Sequence, residues 1–287
     1  MTTSGSRIAD FLELAKPRLN SLVVITAGVG YVAAGADPFN LVVFTHTAIG
    51  AALVAGGAAA LNQIAEQDLD RHMLRTHGRP MPAGRLQRHE ALWFATVLAS
   101  IGLLQLAFGA TLTAAGLALT TLVSYVASYT PLKRRTHWAV LVGAIPGALP
   151  VTIGWAAAQP LSPAAWSLFA LVFVWQLPHF LALTWLYRED FAKAELPLLS
   201  VTDPTGRRAA RHMVVYSALL IPVSLAPTWL GLAGAGYATG VGLLGVALLA
   251  LALRFAVARS TERARLVFRA TLLYLPLVWI CLLLDRA

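Results

Sequence analysis

LVVFTHTAIGAALVAGGAAALNQIAEQDLDR, residues 41–71, joins two chemistries. From Leu41 to Leu61 there is no Asp, Glu, Lys or Arg. At 1.5 Å per residue, a helix of that length covers about 30 Å, the thickness of a bilayer's hydrocarbon core. Polar side chains then crowd together: Asn62, Gln63, Glu66, Gln67, Asp68, Asp70 and Arg71. If the helix continues, Asn62, Glu66 and Asp70 fall at i, i+4 and i+8. Four residues turn a helix by about 400°, so the three form a column spaced by about 6 Å, with Asp68 on the other side. Hard oxygen ligands in a column suit Mg²⁺, which binds through a few carboxylates and the phosphates of a substrate. A solvated loop with helix-end carboxylates is the plain alternative, and spacing does not separate the two.

Composition supports the membrane reading of the apolar part. The 287 residues are 58% hydrophobic and 12% charged, against about 25% charged in a soluble domain. Eight Trp and seven Tyr fit interfacial anchoring. A single cysteine, Cys281, rules out an intramolecular disulfide framework and a cysteine zinc cluster. The apolar runs place nine transmembrane helices at about 19–36, 39–61, 90–109, 111–131, 138–158, 163–186, 212–233, 236–257 and 266–284. The expected fold class is therefore an all-α polytopic membrane protein, a single domain over 1–287, with the lipid bilayer as its first partner. Gly56-Gly57 and Gly28/Gly30 would let helices approach closely.

The net charge of +9 is a topology signal rather than a sign of a nucleic-acid partner. Arg7, Lys16 and Arg18 precede span 1. Arg71, Arg75, Arg79, Arg85 and Arg88, then Lys133, Arg134 and Arg135, then Arg188, Lys193, Arg207, Arg208 and Arg211, then Arg259, Arg263 and Arg265 all fall after even-numbered spans. By the positive-inside rule that side is cytoplasmic, with the N-terminus in and the C-terminus out. Residues 1–18 carry Asp10 and Glu13 and read as a cytoplasmic segment rather than a cleavable signal or a mitochondrial leader. Ile8, Phe11, Leu12 and Ala15 suggest a short interfacial helix before Pro17, and Lys16-Pro17-Arg18 reads as a membrane anchor. Two cytoplasmic connections, 62–89 and 187–211, exceed the rest. Each opens with carboxylates at a helix end, a weak internal repeat that could cover one site.

In the second loop Asp190, with or without Glu189, could supply a second metal-binding acid facing the first column, or be an ordinary interfacial acid beside basic neighbours such as Arg188. His179 is eleven residues before Asp190, so the two share a face if the helix persists. Gln176 and His179 lie inside span 6, where polar residues are costly and usually face an interior. His179 could be an iron ligand, a proton carrier or a hydrogen-bonded packing residue. Between spans 4 and 5, Tyr129-Thr-Pro-Leu-Lys133-Arg134-Arg135 holds three cations in a row. They match a diphosphate or propionates and equally match topology anchors, as do Arg75 and Arg79.

These residues carry a resemblance. Asn62-xxx-Glu66-xxx-Asp70 with Arg75-Thr76-xx-Arg79-Pro80 resembles the first acidic motif of the intramembrane prenyltransferases of the UbiA superfamily. Tyr129–Trp138, Gly143–Pro150 with Ile153-Gly-Trp155-Ala, and Trp175-Gln-Leu-Pro-His-Phe-Leu-Ala-Leu-Thr-Trp-Leu-Tyr-Arg-Glu-Asp-Phe191 are similar to the haem-farnesylating branch, the haem O synthases. The likeness runs from about Lys16 to about Leu199. Two positions depart from the pattern: Glu66 stands where the family usually has Asp, and Ala194 follows Asp190 at i+4, so the second acidic motif is reduced. The branch also leads one to expect Gly where Glu195 stands.

The resemblance implies helices bundled around a central cavity and transfer of farnesyl from farnesyl diphosphate to a vinyl group of protohaem IX, with hydration, giving haem O. It implies Mg²⁺ as cofactor on Asn62, Glu66, Asp70 and Asp190. Arg75, Arg79, Lys133, Arg134, Arg135, Tyr129, Gln176, His179, Arg188 and Glu189 would contact the substrates. Trp155, Trp175, Phe180 or Tyr125 would stabilise the allylic cation, and haem A synthase is an implied partner. A quinone precursor such as 4-hydroxybenzoate is the rival acceptor. A transporter is the reading from another class, against which the acids gather at one face.

Overall fold

The computed structural model describes residues 7–35 and 37–286. Residues 1–6 of the N-terminal segment and Ala36, the last residue of the expected first span, lie outside the described residues. The elements in order are α1 (Arg7–Ala15), α2 (Pro17–Ala33), α3 (Leu41–Ala65), α4 (Gln67–Arg71), α5 (Arg88–Gly109), α6 (Leu112–Leu132), α7 (Ala139–Ala158), α8 (Pro163–Leu186), α9 (Arg188–Lys193), α10 (Leu199–Thr202), α11 (Arg207–Trp229), α12 (Ala235–Val257) and α13 (Thr261–Leu284). Eight of these are long and apolar enough to cross a membrane. The expected first span, α2, is a helix of 17 residues. Large apolar side chains such as Trp93, Phe108, Leu112, Leu243 and Val257 are exposed on the outer faces. In water such a surface would drive aggregation; among lipid tails it costs nothing, and the chain is a multi-pass membrane protein.

Helix starts follow capping chemistry at the ends of the apolar runs. The Asn40 side chain accepts from the amides of Val42 and Val43, Thr111 from Ala114, Ser162 from Ala165 and Ser260 from Arg263. Each satisfies a donor that the first helical turn leaves without an intrahelical partner. Prolines inside α7, α8, α11 and α13 are carried as membrane helices carry them, with neighbours supplying the lost contacts.

Helices α2 and α7 approach closely at two glycines. A Cβ added to Gly154 would lie 1.7 Å from the Ala27 carbonyl oxygen, and one added to Gly30 would lie 1.9 Å from that of Val151. Backbone lies against backbone there, so no flexible side chain can move aside. Gly154→Ala is expected to cost about 1–3 kcal/mol through overpacking, lowering the midpoint of thermal unfolding in detergent. Gly242→Ala, at a helical position with nothing within 4 Å, is the control. Equal midpoints for the two variants would show that the α2–α7 contact is not tight.

The two ends of the bundle are built differently. At one end Asp285 accepts from the Tyr237 amide at 2.7 Å, and Arg286 donates to the Val32 carbonyl. The basic end gathers the loops. Leu69 and Met73 of the first long loop pack with Phe191, Ala194, Leu196 and Leu198 of the second, so the two loops are in contact. Helix α1 braces them: Arg85 pairs with Asp10 and Glu13, both at 2.7 Å, and Arg7 pairs with Glu90. A helix does precede Pro17, but the expected apolar face is divided: Ile8 and Leu12 are exposed, Phe11 packs tilted against Phe94 at 5.0 Å, and Leu14, outside that face, is buried.

Candidate functional site

Helix α3 ends at Ala65, and Glu66 sits in a turn conformation (φ −98°, ψ 8°) before α4. The column survives the break because Glu66 N donates to Asn62 O (2.9 Å) and Asp70 N to Glu66 O (2.8 Å), keeping the i+4 spacing. Burial marks the face. Asn62, Glu66 and Asp70 are 3%, 4% and 0% exposed, whereas the Asp68 side chain is 83% exposed.

Two buried carboxylates need compensation, and each has a cation. Lys133 Nζ lies 3.0 and 3.2 Å from the two Glu66 oxygens. Arg79 donates to Asp70 Oδ2 at 2.7 Å. Asp70 Oδ1 is buried with no partner among the described residues, an anionic acceptor that would be costly unless something binds it. Asn62 gives its amide N–H to the Thr130 hydroxyl at 3.2 Å, which leaves its oxygen as the coordinating end. Thr130 is placed by a π-helical stretch, Ser124–Tyr129, and donates to Tyr125 O at 2.8 Å. That wide turn also stacks Tyr125 on Tyr129 (centroids 5.4 Å apart), both within electrostatic reach of Glu66. Such turns often mark functional sites.

The three consecutive cations part ways. Lys133 enters the site. Arg134 is exposed and donates to the Ala65 carbonyl at 2.9 Å, capping α3, and Arg135 is exposed. Arg75 lies over the Tyr187 ring at 5.3 Å, which ties the first long loop to the start of the second, whereas Arg188 lies over Trp185 at 4.6 Å, a local contact onto the end of α8. Glu189 is exposed and Asp190 half-buried. Asp190 has no ion pair or side-chain hydrogen bond among the described residues. Helix α8 stops at Leu186, with Tyr187 off helical geometry, so the face expected to join His179 to Asp190 is interrupted. Among the described residues no three His, Cys, Asp or Glu side chains stand close enough to hold one metal ion; the predicted set of Asp190 with Glu66 and Asp70 is not assembled. What the first loop offers is an all-oxygen donor set with one buried oxygen unpartnered. That fits a Mg²⁺ whose remaining ligands are substrate phosphates and waters.

Inside α8, His179 is fixed on three sides. It is stacked between Trp175 (5.3 Å, 22°) and Phe268 (4.9 Å, 28°), and its Nδ1 lies 2.9 Å from Thr271 Oγ1. Thr271 gives its single hydroxyl hydrogen to Phe268 O at 2.7 Å. The proton in the His179–Thr271 contact therefore sits on Nδ1, and Nε2 keeps its lone pair. Gln176 donates to the Ala144 and Val172 carbonyls and fills the space above Gly147; its place is between α7 and α8. Trp155 is buried and donates to Pro160 O, at the end away from the acids. Lys16, read from sequence as an anchor, lies within the field of Glu66, Asp70, Arg79 and Lys133. The signal for its setting was Pro17, which disfavours helical geometry in the residue before it.

Comparison with known proteins gives the family and the fold. The chain is 45% identical over 96% of its length, and 98% of the relative's, to the protoheme IX farnesyltransferase of Solibacter usitatus. It is 42% identical to that of Myxococcus xanthus over 97% and 95% of the two chains. The fold is similar to a digeranylgeranylglyceryl phosphate synthase (TM-score 0.82, 16% identity, 97% and 98% covered). It is also similar to a UbiA homolog from Archaeoglobus fulgidus bound to GPP and Mg²⁺ (0.66, 15%, 95% and 99%). Residues 23–276 match the UbiA prenyltransferase family, and the chain belongs to that family.

Proposed function

We propose that this protein transfers the farnesyl group of farnesyl diphosphate to a vinyl group of protohaem IX in the cytoplasmic membrane, N-terminus inside and C-terminus outside. The near-full-length identity to relatives of that activity carries the choice of acceptor. The buried charges support the donor half. The C–O bond of the donor breaks and its electron pair leaves with diphosphate. The vinyl carbon attacks the allylic cation, water adds to the adjoining carbon and a proton is released, giving haem O and diphosphate.

Asn62, Glu66 and Asp70 would hold Mg²⁺, whose charge would offset that of the leaving diphosphate; Asp190 is the acid that the second loop contributes to the proposed set. Arg79 and Lys133 hold the acids and face the same anion. The Tyr125–Tyr129 faces lie beside Glu66, where positive charge develops as diphosphate departs. His179 presents Nε2 to the porphyrin iron, its tautomer set by Thr271 as outer partners set ligating histidines. Haem O is an intermediate of the haem A route, so a haem A synthase is the expected recipient.

An acceptor competition tests this. The purified protein receives labelled farnesyl diphosphate, Mg²⁺, protohaem and 4-hydroxybenzoate together. Label is expected in the porphyrin fraction; label in the aromatic acid instead would make this a quinone-pathway enzyme.

A further inference from the structure

The break between α1 and α2 is clamped from both sides. Gln63 of α3 donates to the Leu14 carbonyl at 2.7 Å and Asn20 of α2 to the Ala15 carbonyl at 2.5 Å. The Ala15 methyl faces Gly56 of α3, and Pro17 opens α2. Between these fixed points Lys16 adopts φ 49°, ψ 57°, the left-handed region that residues other than glycine rarely occupy. Such geometry persists where the surroundings over-determine it, and ligand clamps are among the places it collects.

The charges around Lys16 give the geometry a purpose. Arg79 and Lys133 are spent on Asp70 and Glu66, while Lys16 forms no ion pair among the described residues. It nonetheless feels all four of those groups. Burial, and then the charge of Arg79, pull its ammonium down to about 8, as expected where cations wait without an anion. Three cations face two carboxylates, so the cluster carries a positive charge in excess. A lipid anchor would point outward, as the exposed Arg18 does.

We propose that Lys16 contacts the diphosphate of the prenyl donor, entering the site from the α1–α2 break beside Arg79 and Lys133. This rests on the prenyl-transfer reading above. Arg79 and Lys133 neutralise the acids before substrate arrives; Lys16 is the cation left to recognise the anion itself.

The test uses the full chain in detergent, inorganic diphosphate with Mg²⁺ as the calorimetric probe, and the KM for farnesyl diphosphate. Lys16→Gly removes the ammonium and suits the left-handed backbone, so its thermal midpoint should equal or exceed that of the parent. Its diphosphate affinity should fall and its KM rise by about tenfold or more, the weight of a charge-assisted hydrogen bond. Lys16→Arg should restore most of both, and Arg18→Ala should change neither. Haem binding, read from the Soret band, should stay as in the parent. Unchanged diphosphate affinity in Lys16→Gly would overturn the proposal, whatever its stability. So would a parent protein that binds no diphosphate. A parent that binds diphosphate through Lys16 yet never modifies haem would sustain the proposal while sinking the choice of acceptor.

Discussion

Asp70→Asn is expected to lower farnesyl transfer by about 10²–10³-fold, the usual loss when one electrostatic contact to a developing charge is removed. The change is nearly isosteric. Asparagine keeps the volume and an oxygen for Arg79, so the 2.7 Å contact has a surviving acceptor and the protein should still reach the membrane. What disappears is the negative charge on a fully buried group whose second oxygen has no partner among the described residues. If that oxygen awaits a cation shared with diphosphate, turnover collapses and the Mg²⁺ concentration for half-maximal rate rises. Retention of activity within a few-fold, measured at saturating Mg²⁺, would make the column a structural ion-pair network.

His179→Ala gives the second large effect, at the other substrate. The Soret band of added protohaem should shift on binding the parent protein and should not shift with the variant. Farnesyl diphosphate binding should be unaffected, because His179 contacts α13 residues rather than the acids. Thr271→Val is the finer probe. It keeps the side-chain shape but removes the oxygen that holds the Nδ1 proton, and outer partners of ligating histidines are worth about 10–100-fold. A Soret shift that survives in both variants would place the iron elsewhere. Shifts lost in His179→Ala but kept in Thr271→Val would leave His179 as the contact and remove the tautomer argument.

Much of this was legible in residues 41–71. Helical spacing alone separated Asn62, Glu66 and Asp70 from Asp68, and the burial pattern follows that division. Charge alternation along the chain gathered the loops at one end. Side-chain direction within irregular backbone was not legible. Lys133, Arg134 and Arg135 look equivalent in sequence. They diverge because a π-helical stretch and the short turn after Leu132 aim them at Glu66, at the Ala65 carbonyl and at the surface. Gln176 looked like a cavity residue because amides in apolar spans are rare; its partners are backbone carbonyls of α7 and α8, which no side-chain pattern encodes. The break at Tyr187 separates His179 from Asp190, because a wheel projection assumes a helix running on to Asp190 whereas α8 ends at Leu186. Lys16 was hidden by its neighbours, because a cation before Pro at a membrane entry reads as an anchor until the chain around it is seen folded.

The most direct measurement is the mass of the porphyrin recovered after the purified protein has been incubated with protohaem, farnesyl diphosphate and Mg²⁺. The expected product is protohaem increased by one farnesyl group and one hydroxyl, absent when Asp70→Asn replaces the parent. Unmodified protohaem from a preparation that still transfers farnesyl to an aromatic acid would contradict the account.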